Sequence, residues 1–149
     1  MTEEEKRDHI VATAREWLGT PFHHVAGIKG VGVDCAHFLA KIYEEAGIIE
    51  PLKIEPYSPQ WFLHRDEEKF MGYVFQAGGV EIEESEAKRG DVVLYKIGRC
   101  YAHGAIIIDW PTEIIHAYMP AERVTTLGGM DGDLAGKPRK FFTLFRNAE

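Results

Sequence analysis

The sequence predicts an α+β domain in which helices come first and an antiparallel β-sheet follows. Two observations carry this. Apolar residues recur at helical spacing in the first half of the chain, and past Gly78-Gly79 they fall into short β-rich runs separated by turns. A chain of 149 residues with 45% apolar and 28% charged residues suits one domain, 1–149, burying roughly 70% of its unfolded surface.

The elements follow in order. Thr2 and Glu5 form a capping box, and Ile10, Val11, Ala14, Trp17 and Leu18 continue a first helix that Gly19-Thr20-Pro21 stops. Residues 22–33 hold three glycines and read as a shaped loop. Asp34 suits the N-cap of a second helix, with Phe38, Leu39, Ile42, Tyr43 and Ala46 on one side and Gly47 as its terminator. Pro51, Pro56 and Pro59 mark a connection, and residues 59–77 (with Trp61, Phe62, Phe70, Tyr73 and Val74) read as a third helix. The acidic run 81–90 reads as a solvated connection. Strands are expected at 91–97, 103–109, 113–119 and 139–146.

Charge and cysteine usage narrow the function. A net charge of −7 argues against a phosphate-tracking surface, so nucleic acid is not the expected partner. The acidic N-terminus does not read as a signal peptide, and no run approaches the length of a membrane span, so the chain is expected to be cytoplasmic on synthesis. Cys35 and Cys100 are too few for a disulfide framework and are expected to be free.

Cys35 stands where a glycine-rich loop becomes a helix, a place that favours thiolate through unpaired N–H groups and the helix dipole. His103 opens one strand and His116 lies on the next. A two-residue turn at Pro111-Thr112 puts both imidazoles on one face, as direct or near-diagonal neighbours. That spacing permits the pair without demanding it. Asp109 shares the parity of His103 but lies about 20 Å along the strand, too far to orient it. The expected roles are nucleophile for Cys35, base for His103 and orienter for His116, with the helix dipole and an adjacent imidazolium lowering the thiol pKa. Cys100 lacks a helix start and reads as structural. His23, His24 and His37 match no zinc spacing, so neither a metal nor another cofactor is expected.

The stretches WLGTPFHH (17–24), KGVGVDCAHF (29–38), YSPQW (57–61), RGDVVLYKIG (89–98), CYAHGAIII (100–108) and IIHAY (114–118) together resemble the NlpC family of papain-like cell-wall cysteine peptidases, in its phage-associated branch. The resemblance implies a papain-like α+β fold and the catalytic set Cys35, His103, His116. It also implies cleavage of amide bonds in peptidoglycan stem peptides, of the γ-D-glutamyl–diamino acid type. A phage or prophage setting would make tail proteins possible partners and place the chain in a tail or in the medium after lysis. Two positions depart from the usual pattern: Ala36-His37 replace Ser-Gly after the nucleophile, and Phe22 replaces a tyrosine. Phe22, His23, Asp34 and His37 are therefore the expected substrate-binding residues. Asp34 has two readings, recognition of a free stem amine and a plain helix cap. The alternatives in function are a tail-assembly component that keeps the fold, and an acyltransferase or other amidase using the same triad.

Overall fold

The computed structural model describes residues 1–55 and 68–145. Helix α1 spans Glu3–Glu16 and begins with the expected capping box: Glu5 N–H donates to Thr2 Oγ1 at 3.1 Å, and Thr2 N–H donates to Glu5 Oε1 at 3.3 Å. These two bonds satisfy donors that the first helical turn leaves open. The glycine-rich loop contains a small hairpin that periodicity does not reveal, β1 (Gly27–Ile28) on β2 (Gly32–Val33). Helix α2 spans Cys35–Glu45 and is capped by Asp34. It ends where Gly47 takes a φ of 74°, while Gly47 N–H and Ile48 N–H donate back to Glu44 O and Tyr43 O, each at 3.0 Å. A side chain would oppose that left-handed turn. Helix α3 covers Lys69–Gln76, and the earlier part of the helix expected over 59–77 lies largely outside the described residues.

The sheet has six strands in the order β3-β8-β4-β5-β6-β7, with every neighbouring pair antiparallel. Four occupy the expected regions: β4 (Val92–Ile97), β5 (Cys100–Asp109), β6 (Glu113–Tyr118) and β8 (Arg139–Thr143). Two were not expected. β3 (Val80–Ile82) opens the acidic run read as a connection, and β7 (Arg123–Leu127) is an edge strand in which only Val124 is buried. Short edge strands carry few apolar residues, so alternation alone does not expose them.

The turn between β5 and β6 also differs from expectation. Three residues, Trp110–Thr112, separate the pair Asp109↔Glu113, and a register shift lies between Ile107 and Asp109. That bulge offsets the extra turn residue, so Ile106↔Ile115 and Ile107↔Ile114 keep the parity the shorter turn would have set.

Helices cover one face of the sheet: Ile10, Ala14, Phe38, Ile42 and Phe70 pack with Leu94, Ile106 and Phe142. The other face carries Val93, Tyr95, Ala105, Ile107 and Ile114, closed by Leu134 from the segment after β7. Gly104 shows how tightly helices meet strands. A Cβ there would stand 2.7 Å from Phe70 Cζ and 2.8 Å from Leu39 Cδ1. Glycine after His103 is thus a packing requirement.

Gly90-Asp91, just before β4, fastens α1 to the sheet. Arg7, 4% exposed, donates from Nη1 to Asp91 Oδ1 at 2.9 Å and to Arg89 O at 2.9 Å, and from Nε to Glu3 Oε2 at 3.0 Å. Asp91, fully buried, accepts Lys88 N–H at 2.9 Å through its other oxygen.

Candidate active site

Cys35 is the first residue of α2, and the helix points its open N–H groups at the thiol. Asp34 arranges this start. Its backbone is extended (φ −102°, ψ 176°), and Oδ1 accepts His37 N–H at 2.9 Å and His37 Nδ1–H at 2.8 Å. Oδ2 accepts Val25 N–H at 2.7 Å, which ties the segment just before β1 to the helix start. At 1% exposure, Asp34 is a buried, hydrogen-bonded cap.

The Cys35 thiol donates to Ala102 O at 3.7 Å. Its pKa runs opposite to the sequence expectation. Burial is the larger cause and the Asp34 carboxylate the second, and together they push the thiol up to about 12. The backbone N–H groups of Gly104, Ala36 and Cys35 oppose them without winning. Helix position favours thiolate, but the protein packed around the sulfur and the neighbouring carboxylate favour thiol more strongly. The resting group is therefore SH.

His103 and His116 meet as the strand parity permits. Continued past Ile106↔Ile115, the register sets His116 across from Ala105, diagonal to His103. His103 Nε2 lies 2.8 Å from His116 Nδ1. Tyr118 stacks on His116 with centroids 4.5 Å apart and planes at 12°. Burial lowers the His103 pKa to about 4, and burial with the nearby His103 lowers that of His116 further. Both rings are neutral at pH 7. His116 is fully buried, and its Nε2 has no hydrogen-bond partner among the described residues.

Cys35 and His103 open into one cleft of about 490 Å³, which Phe22, His24, Asp34 and Tyr118 also line. Of the four expected substrate-binding residues, Phe22 and Asp34 reach it. His23 and His37 do not line it: His23 is exposed, with Nδ1 on His24 O at 3.1 Å, and His37 is held by Asp34. His24 takes the place expected of His23, because the bridge that pairs Phe22 with Val33 sets which neighbour turns inward. Tyr118 was missed, although its offset of two residues from His116 puts both on one strand face. Cys100 is fully buried, and both cysteines are free thiols. Among the described residues, no group of three or more His, Cys, Asp or Glu could hold a metal ion, and no helix is long and apolar enough to cross a membrane.

The fold is similar to the NlpC/p60 domain of the peptidoglycan hydrolase SagA, at 23% identity over 90% of this chain and 96% of that one, with a TM-score of 0.60. It is similar to the P60 domain of antigen MAP1204 from M. avium subspecies paratuberculosis, at 17% identity over 96% and 97% of the two chains, with a TM-score of 0.66. RipD from Mycobacterium tuberculosis, described as a non-catalytic NlpC/p60 protein adapted to peptidoglycan binding, matches at 17% identity over 93% and 96%, with a TM-score of 0.59. Among curated proteins, none matches. The NlpC/P60 family pattern matches residues 19–131, which hold Cys35, His103 and His116, and the chain belongs to the NlpC/P60 family.

Proposed function

We propose that the protein is a cysteine peptidase that hydrolyses an amide bond in the peptide stems of peptidoglycan, between a γ-D-glutamyl residue and a diamino acid. The observation that carries this reading is the shared cleft of Cys35 and His103, with His103 held by His116 at 2.8 Å. Membership of the NlpC/P60 family and the likeness of the fold to that of a peptidoglycan hydrolase support the choice of substrate class.

The chemistry follows from the protonation states. For His103 to act as base, its Nε2–H donates to His116 Nδ1 and its Nδ1 lone pair is left for the thiol. Because thiol and imidazole are both neutral, the proton moves from Sγ to Nδ1 as sulfur attacks the carbonyl carbon. The oxyanion is assigned to the backbone N–H at the start of α2. The tetrahedral intermediate then collapses, and His103 returns the proton to the departing amine. Water, deprotonated by the same nitrogen, cleaves the thioester and restores Cys35. His116 holds the imidazolium formed on the way by accepting from its Nε2–H.

Phe22 and Asp34 are assigned to the acyl half of the stem. Asp34 keeps its place as a cap and offers its charge to a free N-terminal ammonium there. Such an ammonium would offset the Asp34 contribution that raises the Cys35 pKa, so binding would acidify the thiol when it is needed. His23 and His37 are assigned no contact with substrate.

The test is incubation with defined stem peptides and identification of products by mass. Two fragments split at the γ-D-glutamyl bond, formed by wild type and absent with Cys35→Ala, are expected. Intact peptide with wild type, or products formed equally by Cys35→Ala, would overturn the reading.

A further inference from the structure

The two imidazoles belong to a row of four rings that crosses three strands. Tyr95 on β4 lies in register with His103 on β5, and their ring centroids are 6.1 Å apart. His103 meets His116 on β6 at 5.0 Å, edge to face. Tyr118 closes the row, stacked on His116 at 4.5 Å with the planes at 12°. Its ring also stands 5.6 Å from that of His103, so it borders both members of the pair. Tyr118 lines the cleft and His116 does not, which leaves the fully buried imidazole behind the phenol ring.

Hydrogen bonding alone does not hold His116 in its plane. The contact of Nδ1 with His103 Nε2 at 2.8 Å fixes one atom, and the last torsion of a histidine side chain is soft. A partner on the second nitrogen would stop the ring from turning, but Nε2 has none among the described residues. The flat contact with Tyr118 supplies the missing constraint. A ring stacked at 12° cannot tilt without driving its edge into its neighbour. Tyr118 is held for this from its backbone, which pairs with Arg123 on β7. Its hydroxyl reaches Asp133 Oδ2 only at 3.5 Å, so the ring rather than the hydroxyl is the part that matters.

We infer that Tyr118 is a positioning residue: its ring locks the plane of His116, and through His116 the direction in which His103 presents Nδ1 to Cys35. This rests on the peptidase reading and goes beyond it by giving the base an aromatic support in place of a second hydrogen bond.

The test compares Tyr118→Val and Tyr118→Phe with wild type on one stem peptide, each also in a His116→Asn background. Valine suits a strand, and Tyr118→Leu serves as the ring-less variant if Tyr118→Val does not fold. Without the ring, kcat should fall about tenfold while KM stays within about twofold. Tyr118→Phe keeps the ring and should bring kcat back to within about twofold of wild type. In the His116→Asn background, loss of the ring should cost no more than about twofold, because Tyr118 acts through His116. A readout free of turnover is the ring N–H proton shared by His103 and His116, followed by NMR at pH 7 in Cys35→Ala. It should be visible there and with Tyr118→Phe added, and lost to exchange with Tyr118→Val added. Unchanged kcat without the ring, an equal loss in the His116→Asn background, or a ring proton indifferent to Tyr118 would each overturn the positioning role and leave the peptidase reading standing. A ring proton that depends on Tyr118, in a protein that cleaves no stem, would overturn the peptidase reading and leave the aromatic lock on His116.

Discussion

Two of the buried polar clusters among the described residues are built differently. At one, Arg7 spends its donors on Glu3, Asp91, Arg89 O and Thr143 Oγ1, and Asp91 accepts from both Arg7 and Lys88 N–H. At the other, His116 is just as deeply buried but leaves Nε2 without a partner among the described residues, and neither His103 nor Cys35 has an opposite charge to hold its ionised form. Burial penalises charge in both places. In the first, hydrogen bonds and a counter-charge compensate, and Arg7 stays charged. In the second, backbone N–H groups at Cys35 compensate only in part and no counter-charge does so among the described residues, so the groups stay neutral and their proton affinities move far from ordinary values. A satisfied cluster holds α1 to the sheet. An unsatisfied one leaves groups with protons to exchange and an open cleft in which to do so.

The largest expected effect is on turnover. Cys35→Ala and His103→Ala should each lower kcat/KM on a stem peptide by about 10³-fold or more, with the thermal midpoint little changed. The same substitution strategy at the other cluster should invert the pattern. Asp91→Ala leaves Arg7 buried without its main counter-charge, which costs about 3–5 kcal/mol by urea denaturation, while activity per folded molecule holds. If Asp91→Ala abolished turnover in a folded protein, the division between clusters would fail.

His116 sharpens the comparison because it belongs to the unsatisfied side. His116→Asn keeps an acceptor for His103 Nε2–H and removes the orphaned nitrogen, whose burial costs about 1–3 kcal/mol. Partial activity, about tenfold to hundredfold down, is expected with no loss of stability. A smaller effect concerns acid. The folded-state pKa values of His103 and His116 lie below their ordinary 6.5, so the unfolded chain binds more protons on acidification. Their contribution to stability is full above about pH 6.5 and is lost as pH falls toward 4. The drop in urea midpoint between neutral and acid pH should shrink in His116→Asn. An unchanged drop would show that the imidazoles are not the groups responsible.

Much of this arrangement was legible in the residues themselves. Thr2 with Glu5, and Asp34 before Cys35, name helix starts because capping is local chemistry. The parity that brings His103 to His116 was legible too, although a three-residue turn and a bulge reach it by another route. What stayed hidden was set by tertiary contact. Whether His23 or His24 turns into the cleft depends on Phe22 pairing with Val33. The direction of the Cys35 shift depends on how much protein surrounds the sulfur, which helix position does not encode. β3 and β7 are short edges with little apolar pattern to read.

The pH dependence of kcat/KM for wild type tests the central claim, that catalysis starts from a neutral thiol beside a neutral imidazole. With His103 lowered to about 4 and Cys35 raised to about 12, the active pair persists between those values. The expected profile is a plateau that begins well below pH 6.5 and continues beyond about pH 9. A preformed thiolate–imidazolium pair would instead lose activity as the imidazolium gives up its proton. A descending limb between about pH 7 and 9 would contradict the neutral pair.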